Sequence, residues 1–200
     1  MIPVYQDRCH WLTQHGAEEG VNATPSPLLS HIPFLLSQDA SEVELHLVRS
    51  NPIVQLLKEG PVNAVIAVTA GDAYISPDWY EIDDQVPTWN YIAVNLQGEL
   101  ELLRQEELHG VLKRLSAEME KRLLPKTPWT SDKMDQTAYE RMQRQIVPAK
   151  LKVREIESTW KLSQNKADEV RLRAADGVAE YGIGVETDFI SGQMRAAKAE

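Results

Sequence analysis

Thr88-Trp89-Asn90-Tyr91-Ile92-Ala93-Val94-Asn95-Leu96-Gln97-Gly98-Glu99-Leu100-Glu101-Leu102-Leu103 decides the fold. Side chains alternate along it, with Tyr91, Ala93, Asn95, Gln97 and Glu99 on one face. Ile92, Val94, Leu96 and Leu100 fall on or near the other. A period of two over so long a span is a strand with one face buried, and Gly98 marks a bulge or bend within it. Upstream, Val43, Leu45 and Leu47 alternate with Glu44 and His46, which is a second half-buried strand. Val62 to Thr69 is rich in Val, Ile and Ala and reads as a buried strand. Ala70-Gly71-Asp72 reads as a turn, and Ala73 to Ser76 as a strand stub stopped by Pro77. Leu28 to Leu36 is a further strand interrupted by Pro33, and Ala149 to Ile156 is strand-like.

Helices occupy the intervals. Asn51 caps a short one that opens at Pro52 and runs through Lys58. Leu108, Val111, Leu112, Leu115, Met119 and Leu123 form a stripe at helical spacing within Gln105 to Leu124. Thr137 to Ile146 and Lys166 to Tyr181 are two more, the latter with Val170, Ala174, Val178 and Tyr181 aligned. Gly182-Ile183-Gly184 breaks it, and Thr187-Asp188 caps a last short helix. No strand–helix–strand alternation runs through the chain, which excludes a parallel doubly wound sheet. The expected architecture is mainly β with helical additions. Residues 1–27 form a poorly patterned segment, 28–165 the β domain with inserted helices, and 166–200 the C-terminal helices.

The chain has 200 residues and a formal charge of -9. Lys113-Arg114, Lys121-Arg122 and Arg141 to Lys152 are local basic clusters, but acids interleave with them. A protein that grips DNA through phosphates usually carries a basic face, so composition argues against strong direct DNA binding. A single cysteine, Cys9, allows no internal disulfide and fits a reducing cytoplasm. Met1 to Asp7 lacks the basic start and apolar block of a signal peptide. No Walker loop, Gly-x-Gly-x-x-Gly or Gly-x-Ser-x-Gly is present. Cys9, His10 and His15 match no metal-site spacing, so no metal is expected.

Four stretches carry ligand chemistry. Trp79, Tyr80, Trp89 and Tyr91 offer flat apolar faces with polar handles, suited to a planar ring or to core plugging. Trp160 to Lys166 supplies ammonium charge, a hydroxyl and two amides, the groups a phosphate or a flavin rim needs. Arg49-Ser50-Asn51-Pro52 puts a cation and a hydroxyl before a helix start. His31 and His46, taken by themselves, read as structural hydrogen-bonding residues on strands.

Together these segments resemble the PaiB family of FMN-binding negative transcriptional regulators. The matching stretches are Ser30 to Leu36, His46 to Pro52, Ala73 to Tyr80, Val86 to Val94 and Lys161 to Asn165, in the family's order. The resemblance implies a split β-barrel of the pyridoxamine-phosphate-oxidase-like kind, a homodimer that holds FMN where its subunits meet, and repression of transcription. Carried over by position, Ser30, His31, Arg49, Ser50, Tyr74, Ser76, Trp89, Asn90, Tyr91, Lys161, Gln164 and Asn165 are the cofactor-binding candidates. Arg49 and Lys161 are the cations for the phosphate, and Trp89 and Tyr91 the wall for the ring. The expected role is that of a cytoplasmic regulator, with a DNA or indirect regulatory partner, rather than an enzyme. The alternatives are a flavin- or haem-dependent oxidoreductase on the same fold, or a degenerate barrel without cofactor. Two departures from the family pattern stand out: Gly16 to Pro27 contains no strand, and Ala70-Gly71-Asp72 replaces a Gly-Pro-His.

Overall fold

The structure is a computed structural model that describes residues 10–14 and 28–198. The strands are β1 (His10–Gln14), β2 (Leu29–Ile32), β3 (Phe34–Leu36), β4 (Glu42–Val48), β5 (Val62–Ile75), β6 (Thr88–Leu102), β7 (Ile146–Lys161) and β8 (Gly184–Val185). The helices are α1 (Pro52–Leu57), α2 (Leu108–Lys121), α3 (Gln136–Gln143), α4 (Asp168–Tyr181) and α5 (Thr187–Ala196). The strand order is β2-β1-β5-β6-β7-β4-β3, and β8 pairs with β5. The β1–β2, β1–β5, β3–β4, β4–β7 and β5–β8 ladders are antiparallel. Among the described residues no helix is long and apolar enough to cross a membrane.

The chain divides into two compact units, one of residues 1–67 and 96–156, the other of 68–95 and 157–200. In the first unit the alternation of β4 holds, with Val43, Leu45 and Leu47 buried. Their partners on β7 are Leu151, Ala149 and Val147, all buried, so one face of this ladder is continuous core. Asn51 caps α1 by accepting a hydrogen bond from the Ile53 amide, and Pro52 takes the first helical position. Leu108, Val111 and Leu115 form the buried stripe of α2. In β6, Gly98 allows a close backbone approach: a Cβ there would stand 2.0 Å from the Lys152 carbonyl oxygen.

The second unit packs α4 against α5 and against the 3-10 turn Pro77–Tyr80. Val170, Ala174 and Val178 are buried on α4, whereas Tyr181 is exposed and stacks on Trp79, with centroids 5.7 Å apart. Arg171, 2% exposed, donates to the carbonyls of Met194 and Ala197 and ties α4 to the end of α5.

Two sequence expectations are corrected. Residues 70–72 are not a turn, because β5 runs unbroken from Val62 to Ile75. Asp72 and Ala73 pair with β8 instead, and the Asp72 carboxylate accepts from the Val185 amide. Gly71 is buried there, and a Cβ would sit 3.2 Å from both Ile190 Cγ1 and the Val185 oxygen. The glycine thus serves packing inside a strand. The second correction concerns the N-terminal segment, where His10–Gln14 forms a strand paired on both edges. The expected absence of a strand in Gly16 to Pro27 lies outside the described residues.

Candidate flavin and phosphate site

Within the second unit, the loop after Tyr80, the start of β6 and the turn after β7 enclose a cavity of about 640 Å³. The turn is built on Ser163, which has a left-handed φ of 63°. A non-glycine residue there costs about 1 kcal/mol or more and persists only where its surroundings hold it. They do so here. The Ser163 hydroxyl lies 2.9 Å from Tyr80 Oη and accepts from Asn90 Nδ2 at 2.9 Å. All three residues are buried, so this network is fully desolvated. Gln164 closes the turn by accepting from the Leu162 amide and donating to the Trp160 carbonyl. A second left-handed residue, Asp84 with φ 60°, shapes the opposite loop.

Two ammonium groups reach this cavity. Lys161 Nζ donates to Thr88 Oγ1 at 2.6 Å. Lys166 Nζ donates to Gln85 Oε1 and lies 5.3 Å from the centre of the Tyr80 ring. Both partners are neutral oxygens. Among the described residues neither lysine forms an ion pair, and Asp84 is the one carboxylate that lines the cavity. Uncompensated ammonium groups beside amides and hydroxyls are the chemistry of a phosphate site. The apolar portion comes from Trp160, Val86 and the Tyr80 ring. Such a mixture, at this volume, suits a small organic ligand with an anionic end.

Of the sequence candidates, Asn90, Lys161, Gln164 and Asn165 come together around this cavity. Trp89 and Tyr91 flank Asn90 on β6, and strand alternation turns them to the other face. Both are exposed there. Tyr74 meets Trp89 and Trp79 edge-on, with centroids 6.2 and 6.3 Å away, so these rings form an aromatic cluster of their own. Ser76 precedes the 3-10 turn. Ser30, His31, Arg49 and Ser50 belong to the first unit. There Ser30 Oγ accepts from Asn51 Nδ2 at 3.0 Å. Arg49 donates to the carbonyls of Arg144 and Ile146 and to Gln105 Oε1, which fixes the entry to β7. Sequence reasoning did not name Thr88, Gln85 and Lys166 as site residues, although Lys166 ends the polar stretch after β7 and Thr88 lies in a family-matching stretch. Only Gln85 carries no local mark, and the turn geometry sets these residues beside Lys161.

The family described as "Putative FMN-binding domain" matches residues 7–155. That match takes in Tyr80 to Asn90 and ends before the Thr159 side of the cavity. The chain is 32% identical over 142 residues to "Protease synthase and sporulation protein PAI 2" of Bacillus subtilis, covering 70% of this chain and 67% of that one. An uncharacterized protein of Saccharomyces cerevisiae is 34% identical over 85 residues, 39% of this chain and 50% of its own. Among solved structures, an FAD and heme binding protein from Mycobacterium smegmatis aligns with a TM-score of 0.53 at 16% identity. That alignment covers 90% of this chain and 75% of the other. A conserved hypothetical protein from Mycobacterium tuberculosis aligns at 0.50 with 17% identity over 78% of each chain. At such identities the structures show a shared fold.

Proposed function

This chain belongs to the PaiB family of FMN-binding split β-barrels, and we propose that its second unit binds FMN through the cavity closed by Tyr80, Asn90 and Ser163. The observation that carries this reading is the pair Lys161 and Lys166, each held at the cavity by a neutral oxygen and neither, among the described residues, neutralised by an acid. Their charge is available to a phosphate monoester, while Thr88, Gln164 and Asn165 supply directional hydrogen bonds. Trp160 and Val86 give apolar surface for a flat ring. When bound, FMN supplies a redox-active isoalloxazine. The residues around it bind and orient, and the buried Ser163 network keeps the turn from shifting.

The protein acts as a homodimer in the cytoplasm and as a negative regulator of transcription. Trp89 and Tyr91, 46% and 38% exposed, supply the apolar face that a second copy would cover. The name of the Bacillus subtilis relative, "Protease synthase and sporulation protein PAI 2", supports the regulatory role. The charge of -9 favours action through a partner over a strong grip on DNA.

The visible spectrum of the purified protein tests the cofactor. Flavin bands that co-elute with protein, or appear after incubation with FMN and desalting, are expected. A protein that stays colourless after both rejects the reading. For regulation, the measure is transcription of candidate promoters with and without the protein, beside a mobility shift at physiological salt. No change in transcription contradicts the repressor role.

A further inference from the structure

A second cavity of about 640 Å³ lies within the first unit, on the side of α2 away from its core stripe. Its floor is the helical series His109, Lys113, Ala117 and Lys121, at i, i+4 spacing, with Leu112 and Ser116 alongside. The core stripe of the same helix is Leu108, Val111 and Leu115. Helix α2 therefore carries two different faces, and the cavity face mixes apolar, polar and cationic side chains.

The opposite wall is the segment that crosses back from α2 towards α3. Glu120 pins it, accepting from the Trp129 amide at 2.7 Å and from Lys126 Nζ. Lys133 Nζ donates to the Pro128 carbonyl at 3.1 Å. These bonds hold the Trp129 indole and Leu124 over the floor. Far along the helix, His109 Nδ1 and Tyr139 Oη stand 3.0 Å apart, with their rings edge to face, and close one end.

Lys113 and Lys121 both line the space, and among the described residues neither makes an ion pair. Asp132 is the one carboxylate on the lining. Eight residues of helix separate the lysines, about 12 Å at 1.5 Å per residue, so a charged end can be met at either extremity of an apolar body. We infer that this cavity is a ligand site for an amphipathic organic anion, a carboxylate or sulfonate on an aromatic or aliphatic body. Its ammonium groups receive the charge, and Leu112, Ala117 and Trp129 receive the body. The site is separate from the FMN site and does not depend on that reading.

The experiment titrates full-length protein, preincubated with FMN, with 1-anilinonaphthalene-8-sulfonate, and then displaces the probe with decanoate. One saturable site per chain is expected, with a Kd on the order of 10–100 µM, competed by decanoate and not by decanol. The double variant Lys113→Glu, Lys121→Glu, at exposed positions, should weaken probe binding at least ten-fold. Ala117→Trp, which fills the space, should do the same. Circular dichroism of each variant should match the original protein. If Ala117→Trp fails to fold, the lysine pair decides alone. Absence of saturable binding below about 1 mM, or unchanged affinity in the folded double variant, overturns the inference. So does displacement by FMN itself, which would place the probe in the flavin cavity.

Discussion

Tyr80 Oη and Ser163 Oγ lie 2.9 Å apart, and this buried bond joins the end of a 3-10 turn to a residue 83 positions later. Asn90 completes it from the strand between them. The three side chains fix the left-handed turn from which Lys161, Gln164 and Lys166 reach the cavity.

Ser163→Ala removes the shared partner of two buried polar groups. The cost expected is about 1–3 kcal/mol, the desolvation of an unpaired donor. Urea unfolding followed by far-ultraviolet circular dichroism measures it. Tyr80→Phe deletes one hydroxyl and leaves Asn90 paired with Ser163, so it should cost less than Ser163→Ala. The reverse order would show that the hydroxyl of Ser163 is not the centre of the network.

Gly177→Ala should destabilise the second unit by about 1–3 kcal/mol. A Cβ at Gly177 would come 2.4 Å from Trp79 Cδ2. The indole would have to leave its stack with Tyr181. Near-ultraviolet circular dichroism should change with the melting point. An unaltered aromatic signal and full stability would contradict the packing described.

His46 gives a pH dependence. Desolvation by burial lowers its pKa below the ordinary 6.5, and its Nδ1 is buried without a partner among the described residues. The unfolded chain therefore binds the proton more readily. Stability is full above the unfolded value and falls as the pH drops through it towards the lowered folded value. His46→Leu should abolish that part of the acid-side loss. Identical slopes between pH 7 and 5 in the two proteins would remove His46 as its source.

Much of the fold was legible because its signals are local. Alternation gave β4 and β6, and Asn51-Pro52 gave the start of α1. Ala70-Gly71-Asp72 misled because glycine and aspartate favour turns locally, whereas pairing with β8 keeps the backbone extended. His10–Gln14 gave no alternating signal; its strand exists through partners on both sides. For the site, Lys161, Gln164 and Asn165 were readable as a polar turn after a strand. Asn90 was legible within a motif, but its burial behind Ser163 was not. Lys166 lay in the same turn without being named, whereas Thr88 and Gln85 reach the lysines by long-range closure, which no spacing along the chain encodes.

Lys161→Ala and Lys166→Ala should each weaken FMN binding about ten-fold, the usual cost of a lost charge-assisted hydrogen bond. The losses should shrink at high salt, because both groups are partly accessible. Equal retention of FMN by the double variant and the original protein would assign the phosphate to other residues.

Calorimetric titration of the apoprotein with FMN and with riboflavin tests the central claim most directly, since the two ligands differ only in the phosphate. If Lys161 and Lys166 receive that phosphate, FMN binds at least ten-fold tighter than riboflavin, and the difference disappears in the Lys161→Ala, Lys166→Ala protein. Equal affinity for the two ligands, or a preference for FMN that survives the double substitution, contradicts it.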